Sequence, residues 1–278
     1  MMKLHTANPC PRGGPSPLFL FLFLHPKALR RKHSSSTPAA AAASSSENNI
    51  TERAASSSSS SSWASVLSRL VRSDNLEEAR RVFHGILPSP DVFHYTIMIT
   101  GYSRAGRMRD ALRLFDAMTV RDVACWNSMM KGCVDCGDLV LARRLFDCMP
   151  ERNAISWTTM LDGLARAGRI AQAKELFRNM PFRDVVAWNS MIFGYCWNGR
   201  TREARLLFGT MPCPNVISWT TMIGGLDQSG ESEEALRLFQ KMSISGIQPT
   251  SSTFACVLTA CANLPEPGLG SHVHGQVS

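Results

Sequence analysis

Between Val123 and Asn153 the apolar residues fall into two stripes separated by a short polar break. Trp126, Met129, Met130 and Cys133 stand at i, i+3, i+4 and i+7, the spacing of one face of an α-helix. Leu139, Ala142, Leu145, Phe146 and Met149 make a second stripe of the same kind, and Gly137 punctuates the turn between them. Pro150 follows the methionine and cannot continue a helix, so the chain turns there. The segment reads as a helix–turn–helix hairpin.

The hairpin recurs. Phe115, Phe146, Phe177, Phe208 and Phe239 are spaced by 31 residues. Ala111, Ala142, Ala173, Ala204 and Ala235 keep the same step, as do Gly106, Gly137, Gly168, Gly199 and Gly230. A second glycine column runs through Gly101, Gly132, Gly163, Gly194 and Gly225, and a methionine column through Met118, Met149, Met180, Met211 and Met242. Trp126, Trp157, Trp188 and Trp219 complete the frame, with Tyr95 one period before them. An earlier copy carries Trp63, Ala79 and Phe83, offset by one extra residue. The last full copy is four residues longer, in Ser243 to Thr250, which places the next aromatic at Phe254. A single 31-residue hairpin cannot bury its stripe alone, but stacked hairpins can. The expected fold is all-α, an α-solenoid with an extended concave face.

Composition changes this picture only at the amino end. The formal net charge is +8, but residues 1–62 hold seven Lys/Arg and two Glu, and the other 216 residues carry a net of only +3. The basicity is thus weak evidence for nucleic-acid binding by the repeats. No acid precedes Glu47, and serine and alanine dominate up to Ser62. This Arg-rich, Ser-rich, acid-poor stretch is the pattern of an organelle transit peptide, so 1–59 is read as leader. The apolar run Leu18 to Leu24 is too short to span a bilayer, which needs about 20 residues. A secretory segment is the competing reading, but its basic cluster should precede the apolar run, and here it follows. The Asn49-Ile50-Thr51 sequon has no meaning in an organelle. Nine cysteines without a regular framework indicate reduced thiols. Cys133-Val-Asp-Cys136 has no second CxxC, and its cysteines fall on packing and turn positions of the repeat, so no metal or cofactor is expected.

The stretch "VVAWNSMIFGYCWNGRTREARLLFGTMPCPN" closely resembles the pentatricopeptide repeat, in the short 31-residue variant of the plant organellar PLS subfamily. Tetratricopeptide repeats differ in period, about 34 residues, and in their tryptophan–glycine signature. The copy ending "SGIQPT" looks like a longer form, and "STFACVLTACANLPEPGLGSHVHGQV" like the start of the long variant. On this resemblance 60–250 comprise six repeats and 251–278 an incomplete seventh, as in a truncated chain. The resemblance implies a right-handed superhelix that binds single-stranded organellar RNA, one repeat per nucleotide, read by two side chains per base.

The implied reading pairs are the residue after the aromatic and the last residue of the same repeat. They are Thr96 with Asp122, Asn127 with Asn153, Thr158 with Asp184, Asn189 with Asn215, and Thr220 with Thr250. By resemblance Thr–Asp prefers guanine and Asn–Asn a pyrimidine, giving a core of G, pyrimidine, G, pyrimidine. An ionised Asp only accepts and suits the N–H donors of guanine, whereas an amide both donates and accepts. The bases for Thr220 with Thr250, and for the leading Ala64 with Asp91, stay unassigned. Thr and Asn near a helix start are also ordinary capping residues, and Asp or Asn ordinary turn residues. Capping explains polarity at both columns but not their alternation in step. Phe93, Ala124, Ile155, Val186 and Ile217 either sandwich bases or start the helix.

A zinc deaminase needs H-x-E and a downstream P-C-x-x-C, and His272-Val-His274 supplies neither. No Ser–His–Asp, paired-carboxylate or P-loop arrangement occurs, so the chain is not expected to be an enzyme. The expected function is recognition for C-to-U RNA editing, with a deaminase-bearing or editing-complex protein acting in trans and no membrane partner. Organellar RNA processing, stability or translation without editing is one alternative, and a protein-binding scaffold another. The leader favours the mitochondrion, with the chloroplast as alternative.

Overall fold

The computed structural model describes residues 60–86 and 89–264. The leader and its transit-peptide reading, His272, His274 and the end of the seventh repeat lie outside the described residues. Among the described residues there are thirteen α-helices, one π-helical turn and no strand. The first helices of successive hairpins are α1 (Ser60–Arg72), α3 (Val92–Arg104), α5 (Val123–Asp135), α7 (Ala154–Arg166), α9 (Val185–Trp197), α11 (Val216–Gln228) and α13 (Ser251–Ala262). The second helices are α2 (Leu76–Arg81, continued by the π turn Val82–Ile86), α4 (Met108–Ala117), α6 (Leu139–Cys148), α8 (Ile170–Asn179), α10 (Thr201–Gly209) and α12 (Ser232–Ile244). The longer last period goes largely into helix: α12 has 13 residues where α4, α6 and α8 have 10.

The first helices α5, α7, α9, α11 and α13 start by the same local chemistry. Asp122, Asn153, Asp184, Asn215 and Thr250 sit in extended backbone, and their side-chain oxygens accept from the N–H three residues on. Such caps satisfy a backbone donor that the helix leaves unpaired. At the other end Gly137 turns the chain at φ 81°, and the Asp138 N–H reaches back to the Cys133 carbonyl at 2.9 Å. This six-to-one closure requires a left-handed residue, which glycine adopts without penalty. The first hairpin solves the same problem with Asp74 at φ 61°.

An aromatic ladder joins one hairpin to the next. Phe115, Phe146, Phe177 and Phe208 meet Trp126, Trp157, Trp188 and Trp219 edge-to-face, with centroids 4.9, 4.9, 5.2 and 5.0 Å apart. Phe83 and Tyr95 form the same contact at 5.0 Å. Edge-to-face pairs add about 0.5–1.5 kcal/mol beyond the area they bury. The tryptophans are scaffold.

A second recurrent device, within each repeat, is an arginine column that the apolar pattern does not display. Arg121, Arg152 and Arg183 each donate from Nε to the carbonyl of Phe115, Phe146 and Phe177, at 2.9, 2.7 and 2.7 Å. Their guanidinium carbons stand 4.7, 4.9 and 5.3 Å from the same phenylalanine ring centroids. The planar fork caps the end of a second helix while stacking on its ring, a task an ammonium performs poorly. Arg152→Lys should therefore cost about 1 kcal/mol despite the conserved charge. A denaturant midpoint unchanged by the substitution would contradict that role.

Successive first helices pack extensively on each other, whereas contacts between successive second helices are sparse. The first helices thus form the tightly spaced, concave layer. Their close approach rests on the glycine column: a Cβ at Gly163 would lie 2.8 Å from a Val134 methyl, and one at Gly194 2.5 Å from the Ala165 Cβ.

Candidate nucleic-acid interface

Thr96, Asn127, Thr158, Asn189 and Thr220 are the fifth residues of their first helices, one position after the ladder aromatic. The face they occupy is visible between α1 and α3, where an open groove of about 810 Å³ is lined by Ala64, Ser68 and Arg72 on one wall. Phe93, Thr96, Thr100 and Arg104 line the other. Because the period is constant, Asn127, Thr158, Asn189 and Thr220 occupy equivalent places on the later helices.

The structure brings two of the sequence-predicted pairs together, one directly and one through a third residue. Asn127 Nδ2 donates to Asn153 Oδ1 at 3.1 Å, across 26 residues of chain. Thr220 and Thr250 meet through Thr253, whose hydroxyl lies 2.8 Å from the first and 3.1 Å from the second. The Thr–Asp pairs are organised differently. Thr96 and Thr158 donate to the carbonyls of Val92 and Ala154, each at 2.8 Å. Asp122 and Asp184 each use Oδ1 to accept the capping N–H of Cys125 and Ala187 at 2.8 Å. Direct contact therefore gives one Asn–Asn pair a structural reason to co-vary. It gives the Thr–Asp pairs none.

A third column, not recognised in the sequence, completes each cluster. It is the third residue of the following first helix: Cys125, Ser156, Ala187, Ser218 and Thr253. Ser156 Oγ donates to Asn127 Oδ1 at 2.7 Å and also lies 3.1 Å from Asn153 Oδ1. Serine occurs in this column where the cap is asparagine, and cysteine or alanine where the cap is Asp122 or Asp184. The signal was present as a 31-residue column, but its alternation of small residues looks like noise until the neighbour is known. In the Asn189 copy, Ser218 Oγ lies 3.1 Å from Asn215 Oδ1. The Oδ1 of Asn189 is buried without a protein partner.

The second residues of four first helices are open, and Ile217 on α11 is half-buried. Phe93 is 61% and Ile155 59% exposed, and Ala124 and Val186 are exposed too. Farther along, each groove wall carries residues one helical turn apart: Ser68 and Arg72, Thr100 and Arg104, Lys131 and Asp135, Asp162 and Arg166, Phe193 and Trp197. Lys131 pairs with Asp135, and Arg166 Nη2 lies 2.9 Å from Asp162 Oδ2. Burial pushes the Asp162 carboxyl up from its ordinary value, against the pull of Arg166. Arg72 and Arg104 are in no ion pair among the described residues.

Family models for the PPR repeat match residues 61–87, 124–153 and 186–213, and 88–119 and 151–181, and one for the PPR repeat family matches 214–263. Together they cover most of the chain. The chain belongs to the pentatricopeptide repeat family. It is similar to a pentatricopeptide repeat-containing protein of Oryza sativa subsp. japonica, OGR1, mitochondrial, with 45% identity over 42 residues. That match covers 15% of this chain and 7% of the rice protein. Among solved structures, the pentatricopeptide repeat protein PPR10 in complex with an 18-nt psaJ RNA element superposes with a TM-score of 0.66 at 18% identity. The match covers 83% of this chain and 37% of that one. PPR10 from maize gives a TM-score of 0.60 at 23% identity, covering 73% of this chain and 32% of that one. The chain thus spans about a third of PPR10 and a small part of the rice protein.

The cysteines of this pentatricopeptide repeat chain follow the packing. Burial raises the Cys133 and Cys196 thiols to about 12. Cys136 caps α5 at the surface. Burial also raises Cys125 to about 11, while the adjacent Thr96 hydroxyl pulls the other way. Among the described residues no cluster of three or more His, Cys, Asp or Glu is placed to hold a metal ion, and no helix is long and apolar enough to cross a membrane.

Proposed function

We propose that the chain binds single-stranded RNA along the groove of its first helices, each reading pair selecting one base. Thr96 with Asp122 and Thr158 with Asp184 select guanine, and Asn127 with Asn153 and Asn189 with Asn215 select a pyrimidine. The amino end faces the 5′ side. The observation that carries this reading is that Thr accompanies Asp in two copies, Thr96 with Asp122 and Thr158 with Asp184, without a bond between them. A shared ligand accounts for what packing does not. In the Thr–Asp copies one carboxylate oxygen is engaged in the cap, and an ionised carboxylate can accept further from guanine N–H groups.

The short repeat type, the leader and the resemblance support a recognition factor for C-to-U editing in the mitochondrion, with the deaminase supplied by another protein. The name of the rice relative points to the same organelle. Fluorescence anisotropy of the full chain against single-stranded RNA with a GYGY core and against scrambled RNA tests the binding. Equal affinity for both removes base reading, and no affinity for either leaves a protein-binding scaffold. Organellar cDNA with and without the protein separates editing from other RNA processing.

A further inference from the structure

The groove wall changes character at α9. In α1, α3 and α7 the thirteenth position of the first helix is Arg72, Arg104 and Arg166, and in α9 it is Trp197. The groove lining formed by Thr96, Thr100 and Arg104 corresponds, three periods later, to Asn189, Phe193 and Trp197. These three stand at i, i+4 and i+8, so they share one face of α9, and Trp197 lies about 12 Å along the axis from Asn189.

Phe193 and Trp197 are stacked. Their centroids are 5.7 Å apart and their planes inclined by 26°. Phe193 is buried, whereas Trp197 is 47% exposed. The buried ring backs the exposed one, which leaves about half of the indole open to solvent. No packing requirement of the repeat explains an indole here, because the equivalent positions are arginine, aspartate or glutamine. An exposed, pre-positioned aromatic in a row that carries the cations Arg72 and Arg104 on earlier helices suits a ligand that is both anionic and planar.

We propose that Trp197 is a stacking platform for a nucleobase of the bound single strand, distinct from the base read by Asn189 and Asn215. The inference rests on the RNA-binding function above. At this repeat a sequence-tolerant stack replaces the phosphate contact that Arg72 and Arg104 are placed to make. Stacking discriminates little between bases, since every base has a π face. It releases no counterion, so it holds the strand at salt concentrations that weaken the arginine contacts.

The test is RNA affinity of the full chain measured from low to high salt, for the wild type and four variants. Trp197→Ala should weaken binding about 5- to 150-fold, the scale of one base–aromatic stack, with an unchanged slope of log K against log salt. Trp197→Phe should keep most of the affinity. Trp197→Arg should recover affinity at low salt only and steepen the slope by about 0.7, the effect of one added phosphate contact. Arg104→Ala should make the slope shallower by a similar amount. An abasic scan of the RNA should find one nucleotide whose loss weakens the wild type but not Trp197→Ala. Wild-type binding with an unaffected Trp197→Ala variant, or with no such nucleotide, overturns the platform and assigns the indole to a protein partner. Failure of the wild type to bind any single-stranded RNA overturns the function on which it rests.

Discussion

Gly194→Ala is expected to destabilise the stack by about 1–2 kcal/mol net, although alanine is the better helix former. The new Cβ would stand 2.5 Å from the Ala165 Cβ on the preceding first helix. Neither atom is the end of a flexible side chain, so α7 and α9 must move apart. Overpacking of this kind costs about 1–3 kcal/mol and occasionally more, against about 1 kcal/mol gained in helix propensity. Gly163→Ala meets Val134 methyl carbons at 2.8 and 2.9 Å instead, and a half-buried valine can turn aside, so its cost should be smaller. The decisive measurement is rescue. Ala165→Gly in the Gly194→Ala background removes the clashing carbon and should restore most of the denaturant midpoint. If the double variant is no more stable than Gly194→Ala alone, close helix approach is not the cause.

The glycine column shows which part of the molecule was legible in the sequence. The period located Gly101, Gly132, Gly163, Gly194 and Gly225 and predicted two helices per hairpin, but not the surface each glycine faces. That surface lies on the preceding first helix, and nothing in the apolar spacing encodes it. The Phe and Trp columns were legible because large apolar residues leave no alternative to burial. Arg121, Arg152 and Arg183 were missed for the opposite reason, since a surface arginine three residues after the methionine has many uses. The reading columns were located by resemblance, and the structure adds the direct Asn127–Asn153 bond. Packing accounts for the alternation in that copy, and elsewhere the alternation rests on the proposed base reading. The third column was invisible because its residues are small and its partner belongs to the preceding repeat.

That third column changes how base preference should be transferred between repeats. Thr158→Asn with Asp184→Asn should shift the nucleotide at that repeat from guanine to a pyrimidine, with discrimination of about 1–3 kcal/mol. The reference is the Asn127 copy, where the amide donates to Asn153 and accepts from Ser156 Oγ at 2.7 Å. The Thr158 copy has Ala187 in place of that serine, so a new amide at position 158 would gain the first bond and lack the second. A buried amide missing one partner is held less firmly and carries an unpaired acceptor that costs about 1–3 kcal/mol. Adding Ala187→Ser should therefore sharpen the switch and raise stability relative to the double variant. Anisotropy titrations with RNAs differing only at this nucleotide, set beside denaturant midpoints, separate the two effects. Guanine preference persisting in both variants would remove position 158 from base reading. A switch that the double variant completes alone would restrict the third column to capping.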